Sequence, residues 1–173
     1  MVDIRPEEPP DSPTITEVHR SAFGGDIEMT IVGAVRASPE FIRDLSLVAV
    51  KDGRVVGHIL FSPVRIETGS SSSPALALAP IAVLPGYQKE GIGSLLVEEG
   101  LGRCRELGHP IVIVVGEPSF YTRFGFTPAR ARGLEAPFPV PDEAFMVLEL
   151  SGGALGGITG MVCYPPPFLA GLE

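Results

Sequence analysis

Apolar residues recur along the chain in two rhythms, and each change of rhythm marks a new element. Residues 2–5 form a short extended run, and a Pro-rich stretch then carries the chain to Pro13. From near Thr14, Ile15, Val18, His19 and Ala22 recur at helical spacing until Gly24-Gly25 stops the run. A second, weaker helical pattern covers residues 28–37. Leu45-Ser-Leu-Val-Ala-Val50 and Val55-Val-Gly-His-Ile-Leu-Phe61 are β-rich runs on either side of Asp52-Gly53. That dipeptide between two such runs predicts a hairpin.

The Thr68-Gly-Ser-Ser-Ser-Ser73 stretch reads as a flexible surface loop. Residues 76–84 then form an apolar strand interrupted by Pro80, which removes a ladder donor and calls for a bulge or splay. The spacing predicts a helix from Gly91 to Leu107, with Ile92, Leu95, Leu96, Leu101, Cys104 and Leu107 as its apolar face and Gly108 as its stop. Ile111-Val-Ile-Val-Val115 is a buried strand, and residues 144–150 and 159–164 are further strands.

Strand, loop, helix and strand between residues 76 and 115 make a βαβ unit, whose strands are parallel. The hairpin before it is antiparallel. Together they predict an α/β (α+β) fold with a mixed, mostly antiparallel central sheet and helices on both faces. With 173 residues the chain is long enough for one sizeable core, so a single domain is expected. Residues 1–150 would carry that core. Residues 151–173, ending in Tyr164-Pro-Pro-Pro167-Phe168, would pack on it as a strand and Pro-rich extension, most plainly over a sheet edge.

Charge and composition narrow the function. A net charge of −8 argues against a sequence-independent grip on nucleic acid, which needs clustered Lys and Arg. Cys104 and Cys163 show no CxxC spacing, and His19 and His109 have no partner at ligand spacing, so neither a disulfide framework nor a metal site is expected. The acidic, Pro-rich start does not read as a signal peptide, and no apolar run has bilayer length. A cytoplasmic protein without a membrane partner is the expectation.

The chemistry concentrates in Val83-Leu-Pro-Gly-Tyr-Gln88-Lys-Glu-Gly91-Ile-Gly93-Ser94, between a strand end and a helix start. Glycines there let successive N–H groups point into one concavity, and the helix dipole adds positive potential, so the site suits a phosphate or pyrophosphate. A P-loop is excluded because no Gly-Lys pair occurs. A dinucleotide fingerprint is disfavoured because Leu96 stands at its third glycine.

Gln88-Lys-Glu-Gly91-Ile-Gly93 resembles the Gln/Arg-x-x-Gly-x-Gly/Ala signature of the GNAT superfamily of N-acetyltransferases, in the compact subgroup of uncharacterised substrate. Phe120-Tyr121-Thr-Arg-Phe-Gly125-Phe126 resembles that family's second motif, and with the hairpin the likeness covers roughly residues 2–150. Where many members carry an Asn and a longer helix before the Tyr, this chain runs Val115-Gly-Glu-Pro-Ser119 directly into Phe120. The resemblance implies a GNAT-like acyl-CoA N-acyltransferase fold and acetyl-CoA as acyl donor, without a metal. It places the coenzyme's pyrophosphate on the backbone of Gln88, Lys89, Glu90, Gly91, Ile92, Gly93 and Ser94. Ile81, Ala82 and Val83 would pair with the pantetheine arm as an added strand.

Tyr121 would then be the general acid for the departing thiolate, against the plainer reading of an aromatic cluster around Gly125. Glu117, just beyond a strand end, is a candidate base or substrate anchor, or a solvated loop acid. His58 reads as a packed strand residue. Arg123 and Arg130 are open as phosphate contacts. The implied partner is a small-molecule or peptide amine, with a homodimer left open. The rival is a non-catalytic acyl-CoA-binding sensor or interaction module.

Overall fold

Asp52 and Gly53 take positive φ values of 51° and 75°, the left-handed pair that a tight two-residue hairpin turn requires. They join β2 (Ser46–Lys51) to β3 (Arg54–Thr68) in antiparallel register, with Val48 opposite His58. The structure, a computed structural model, describes residues 1–169. These group into two compact units: residues 1–62, 79–103 and 166–169, and residues 63–78 and 104–165. The described strand pairings are antiparallel except for two parallel ones, so the sheet is mixed and mostly antiparallel as expected.

In the first unit β1 (Val2–Pro6) pairs antiparallel with β2. Helix α1 (Ser12–Phe23) ends on Gly24 at φ 75°, and α2 (Ile27–Arg36) follows. β3 shows which helix lies on which face, because alternate residues of a strand point to opposite sides. A Cβ at Gly57 would lie 3.1 Å from Leu96 of α3 (Ile92–Glu106), and one at Gly100 of α3 would run into the Phe61 ring. Gly57 and Phe61 therefore face α3. His58, on the other face, meets His19 of α1. Helices thus cover both faces of this strand.

The apolar face of α3 differs from the sequence reading. Ile92, Leu96, Val97, Leu101 and Cys104 are buried, whereas Leu95 and Leu107 are exposed. Leu95 is rotated away from the stripe centred on Gly100, and Leu107 lies past the last helical turn, which ends at Glu106.

In the second unit the expected loop at 68–73 is mostly strand. β3 runs to Thr68 and β4 (Ser71–Val83) starts at Ser71, leaving Gly69 and Ser70 as the turn. Hairpin pairing uses backbone groups, so serines do not prevent it, and the Arg65 guanidinium bonds both the Ser72 hydroxyl and its carbonyl. The predicted parallel pairing joins β4 to β5 (Ile111–Val115) at Leu76–Val112 and Ala77–Ile113, just before the cis Ala79–Pro80 peptide. β5 pairs along its length with β8 (Phe145–Glu149), which pairs with β6 (Thr127–Pro128). β9 (Gly160–Cys163) lies antiparallel to the outer end of β3 and parallel to β7 (Leu134–Glu135), so the C-terminal strand covers an edge.

The proline run does not stay extended. Pro166 and Pro167 open the short α5 (Pro166–Leu169), which packs on α2 in the first unit, since proline is favoured in a helix's first turn. The last four residues of the 151–173 extension lie outside the described residues. No helix among the described residues is long and apolar enough to cross a membrane.

Candidate active site

β4 ends at Val83, and one 3-10 turn (Pro85–Tyr87) delivers the chain to Gln88. Gln88 is extended, whereas Lys89 and Gly91 take positive φ values of 67° and 85° around Glu90. Left-handed residues set among ordinary ones turn successive amides toward one side, the geometry of an anion-binding nest. The first backbone bond of α3 runs from Leu95 N to Gly91 O at 3.1 Å. The amides of Ile92 and Gly93 therefore precede the first intrahelical bond of a 15-residue helix, where donors and dipole both favour an anion.

Residues 88–91 are exposed, Gly93 and Ser94 half-buried, and Ile92 is buried as the loop's apolar anchor. The loop is braced by its own side chains. Gln88 Nε2 donates to Val83 O at 2.9 Å, and Lys51 Nζ meets Glu90 Oε1 at 2.6 Å while lying 5.7 Å from the Tyr87 ring centre. The one acid inside the cradle is thus held by a lysine, which offsets its negative charge. A pyrophosphate fits that chemistry.

The preceding strand segment has Ala82 buried and Ile81 and Val83 half-buried. A side chain at position 57 would stand 3.3 Å from the Ala82 carbonyl, so glycine there lets β3 run close to this segment. Leu84 N closes the segment on Val56 O at 2.8 Å.

Tyr121 and Glu117 belong to the second unit, on and just before α4 (Pro118–Tyr121). The helix is as short as the sequence implies, passing into a 3-10 turn that Gly125 ends at φ 97°. Tyr121 is buried, with Phe120 and Phe126 rings edge-on at 5.0 and 5.7 Å. A Cβ at Gly116 would lie 2.5 Å from a Tyr121 ring carbon, so the bare backbone at 116 makes room for that ring. Burial pushes the phenol up to about 12, which keeps it protonated at neutral pH. Glu117 is exposed, and its Oε1 accepts from Ser119 Oγ at 3.3 Å.

Arg123 lies over the Phe120 and Phe124 rings at 4.9 and 5.6 Å. Arg130 is bound by Glu135 and Asp142, each at 2.7 Å, and donates to Val140 O at 2.6 Å, so its charge is already met within its own unit.

Sequence reasoning missed one cluster. His58, packed as expected, is fully buried and engaged at both ring nitrogens: Nδ1 lies 2.8 Å from His19 Nε2, and Nε2 lies 2.8 Å from Ser46 Oγ. Ser46 donates a very short bond to Glu7, whose carboxylate is also gripped by Arg36 at 2.8 and 3.1 Å. The only sequence signal was a lone polar side chain within an apolar strand.

The chain is similar to known proteins over nearly its whole length. A family model described as Acetyltransferase (GNAT) domain matches residues 3–129. The uncharacterized N-acetyltransferase YhbS of Escherichia coli is 37% identical over 166 residues, which cover 95% of this chain and 97% of that protein. The crystal structure of YhbS from Escherichia coli in complex with CoA matches with a TM-score of 0.89 and 36% identity, covering 96% of this chain and 91% of that one. A GNAT family acetyltransferase from Brucella melitensis in complex with acetyl-CoA matches with a TM-score of 0.79 and 34% identity, covering 97% and 98%.

Proposed function

The chain belongs to the GNAT family of N-acetyltransferases, and from that premise we propose that it moves an acetyl group from acetyl-CoA directly to a primary amine, without a covalent acyl-enzyme. The observation that carries this reading is the 88–94 cradle, with left-handed Lys89 and Gly91 ahead of the open first turn of α3. Two similar structures hold CoA and acetyl-CoA, which supports the same donor here.

In this reading the backbone of Gln88, Lys89, Glu90, Gly91, Ile92, Gly93 and Ser94 binds the pyrophosphate. Ile81, Ala82 and Val83 present main-chain groups to the amide-rich pantetheine arm, which then behaves as an added strand. Holding amine and thioester together supplies much of the rate, because the encounter no longer requires two free molecules to align. Tyr121, protonated and buried, hands its proton to the departing thiolate. Glu117, exposed beyond β5, anchors or deprotonates the acceptor. The acceptor is a small molecule or peptide bearing a primary amine. Residues 1–150 form the catalytic core and 151–173 an extension of it, and two free cysteines suit a reducing cytoplasm.

The test is calorimetric titration with acetyl-CoA, followed by thiol release in the presence of polyamines, aminoglycosides, amino acids and peptide N-termini. Binding without turnover across the panel sinks the transferase reading. Tyr121→Phe is expected to lower kcat by about 10²-fold with unchanged acetyl-CoA affinity. Unaltered turnover removes the phenol from the mechanism.

A further inference from the structure

Gly116 lies between the end of β5 and the start of α4, and its bare Cα faces the Tyr121 ring. A Cβ at this position would stand 2.5 Å from Cε2, 3.2 Å from Cδ2 and 3.5 Å from Cζ of that ring. The most crowded carbon is thus the neighbour of Cζ, which bears the hydroxyl. The backbone does not ask for glycine here. Gly125, which ends the turn after α4, has φ 97°, whereas Gly116 lies outside the left-handed region, where ordinary L side chains are admitted. The glycine therefore serves the ring and not a turn.

Both backbones in this contact are tied down. Gly116 N donates to Ala144 O at 2.9 Å, directly after Val115 pairs with Phe145 in the ladder between β5 and β8. Tyr121 N donates to Glu117 O at 3.2 Å, which holds the tyrosine to the residue after Gly116. The ring meets Phe120 and Phe126 edge-on at 5.0 and 5.7 Å. Burial alone raises its phenol to about 12, with no neighbour's hydrogen bond or charge involved. Packing, and not a bond to the oxygen, determines where the hydroxyl stands.

We propose that Gly116 is a positioning residue for acetyl transfer: its missing side chain sets the place from which the Tyr121 hydroxyl protonates the departing thiolate. The proposal rests on the acetyl-transfer reading above, with Tyr121 as its acid. In the step concerned the thioester C–S bond breaks, and its electron pair and the Tyr121 proton go to sulfur. The phenolate is reprotonated from solvent, to which the nitrogen of the new amide releases a proton.

The size of the effect follows from the contact. An added methyl must push the ring back by about 1 Å, from 2.5 Å to the distance of about 3.5 Å or more at which carbon atoms ordinarily meet. Cε2 adjoins Cζ, so the hydroxyl moves with it. A misplacement of about 1 Å can cost about 10²-fold in rate. The pyrophosphate cradle is a separate segment, residues 88–94, so coenzyme affinity should not follow.

The experiment compares wild type, Gly116→Ala, Tyr121→Phe and the Gly116→Ala, Tyr121→Phe double variant by steady-state kinetics with acetyl-CoA and the amine panel. Ring-carbon NMR spectra of the three labelled tyrosines accompany it. Gly116→Ala should lower kcat by about 10- to 10²-fold, with KM for acetyl-CoA within about twofold of wild type. The Tyr121 signals, set among the Phe120 and Phe126 rings, should move, while those of Tyr87 and Tyr164 stay. In the Tyr121→Phe background the alanine should lower kcat by less than about twofold, because the hydroxyl it displaces is already gone. A merely structural role would cost the same in both backgrounds. Melting midpoints give a second reading: the alanine should destabilise the wild type but not Tyr121→Leu, which lacks the crowded ring. Where Gly116→Ala does not fold, recovery of folding in the Tyr121→Leu background supports the contact, and failure there overturns it. An unchanged kcat in folded Gly116→Ala, an unmoved Tyr121 signal, or equal losses with and without the phenol sinks the positioning role while leaving acetyl transfer standing. A wild type that binds acetyl-CoA but acetylates nothing in the panel removes both.

Discussion

The cradle at 88–94 and the buried chain from Glu7 to His19 are two polar devices in one unit, built by opposite means. The cradle is a single continuous run whose proposed function lies in backbone amides, and its side chains brace the loop: Gln88 to the Val83 carbonyl, Glu90 to Lys51. The buried chain draws one side chain each from α1, β2 and β3, with Glu7 after β1 and Arg36 from α2 closing it. The amides of a nest are fixed by dihedral angles and survive most substitutions. A buried network depends on every member, because an abandoned charge or donor loses water and gains nothing in return. The cradle should thus be sensitive in binding and tolerant in stability, and the buried chain the reverse.

Glu7→Ala tests that contrast with the largest expected effect. It leaves the Arg36 guanidinium without its carboxylate and Ser46 without its acceptor. Breaking a buried pair from one side costs about 3–5 kcal/mol. In a chain of this length that lowers the melting midpoint by roughly 10 °C. Acetyl-CoA affinity should stay within about twofold by calorimetry. Gly91→Val is the mirror experiment. Position 91 has φ 85° and open space where a Cβ would go, so the cost is backbone strain at the cradle rather than a clash. Its acetyl-CoA affinity should fall about tenfold or more, while its melting midpoint moves by only a few degrees. A variant pair with these results exchanged breaks the comparison.

A pH titration sharpens it next. His19 drops from an ordinary 6.5 to about 3 in the fold, and Glu7 from 4.5 to about 2. Both values are depressed, so the unfolded chain binds these protons first as pH falls. The stability tied to neutral His19 is fully present above pH 6.5 and lost as pH drops through about 3, and that tied to ionised Glu7 is present above 4.5 and lost through about 2. Melting midpoints should be level near pH 7 and decline below 6.5. In His19→Gln the decline below pH 6.5 should be shallower rather than absent, because His58 and His109, which burial also holds below the ordinary histidine value, still take up protons on unfolding. An identical slope in both proteins between pH 6.5 and the carboxylate range shows that His19 does not titrate with unfolding.

How much was legible beforehand follows the same division. The hairpin at Asp52-Gly53, the βαβ unit and the cradle are each written within a few neighbouring residues, so spacing and glycine placement reveal them. The 68–73 segment misled because serines suggest a loop, yet the backbone bonds of a hairpin are indifferent to them. Leu95 misled because apolar character alone does not place a residue on the buried arc of a helix. Thr127–Pro128 and Leu134–Glu135 are too short to show any alternation. His58 was visible only as a packed histidine. Its partners stand 39 and 12 positions away, and no local pattern joins them. Backbone sites of this kind are local, whereas side-chain networks require the tertiary fold.

The smallest expected effect bears on the one place where the cradle does rely on side-chain charge. Glu90 sits between the two left-handed residues of the proposed phosphate cradle, and its carboxylate would oppose an anion there. Lys51 Nζ at 2.6 Å offsets that charge from the end of β2. Lys51→Ala should therefore weaken acetyl-CoA binding by roughly two- to fivefold, in the range exposed pairs reach, without moving the melting midpoint. Because both groups are near the surface, the loss should fade as ionic strength shortens the Debye length to about 3 Å at 1 M salt. Glu90→Gln alone should bind slightly more tightly. The Lys51→Ala, Glu90→Gln double variant should recover most of the single lysine loss, since the lysine's role is to neutralise Glu90 rather than to touch phosphate. If the double variant binds as weakly as Lys51→Ala, Lys51 contacts the coenzyme directly, and the cradle depends on a side chain drawn from a distant strand.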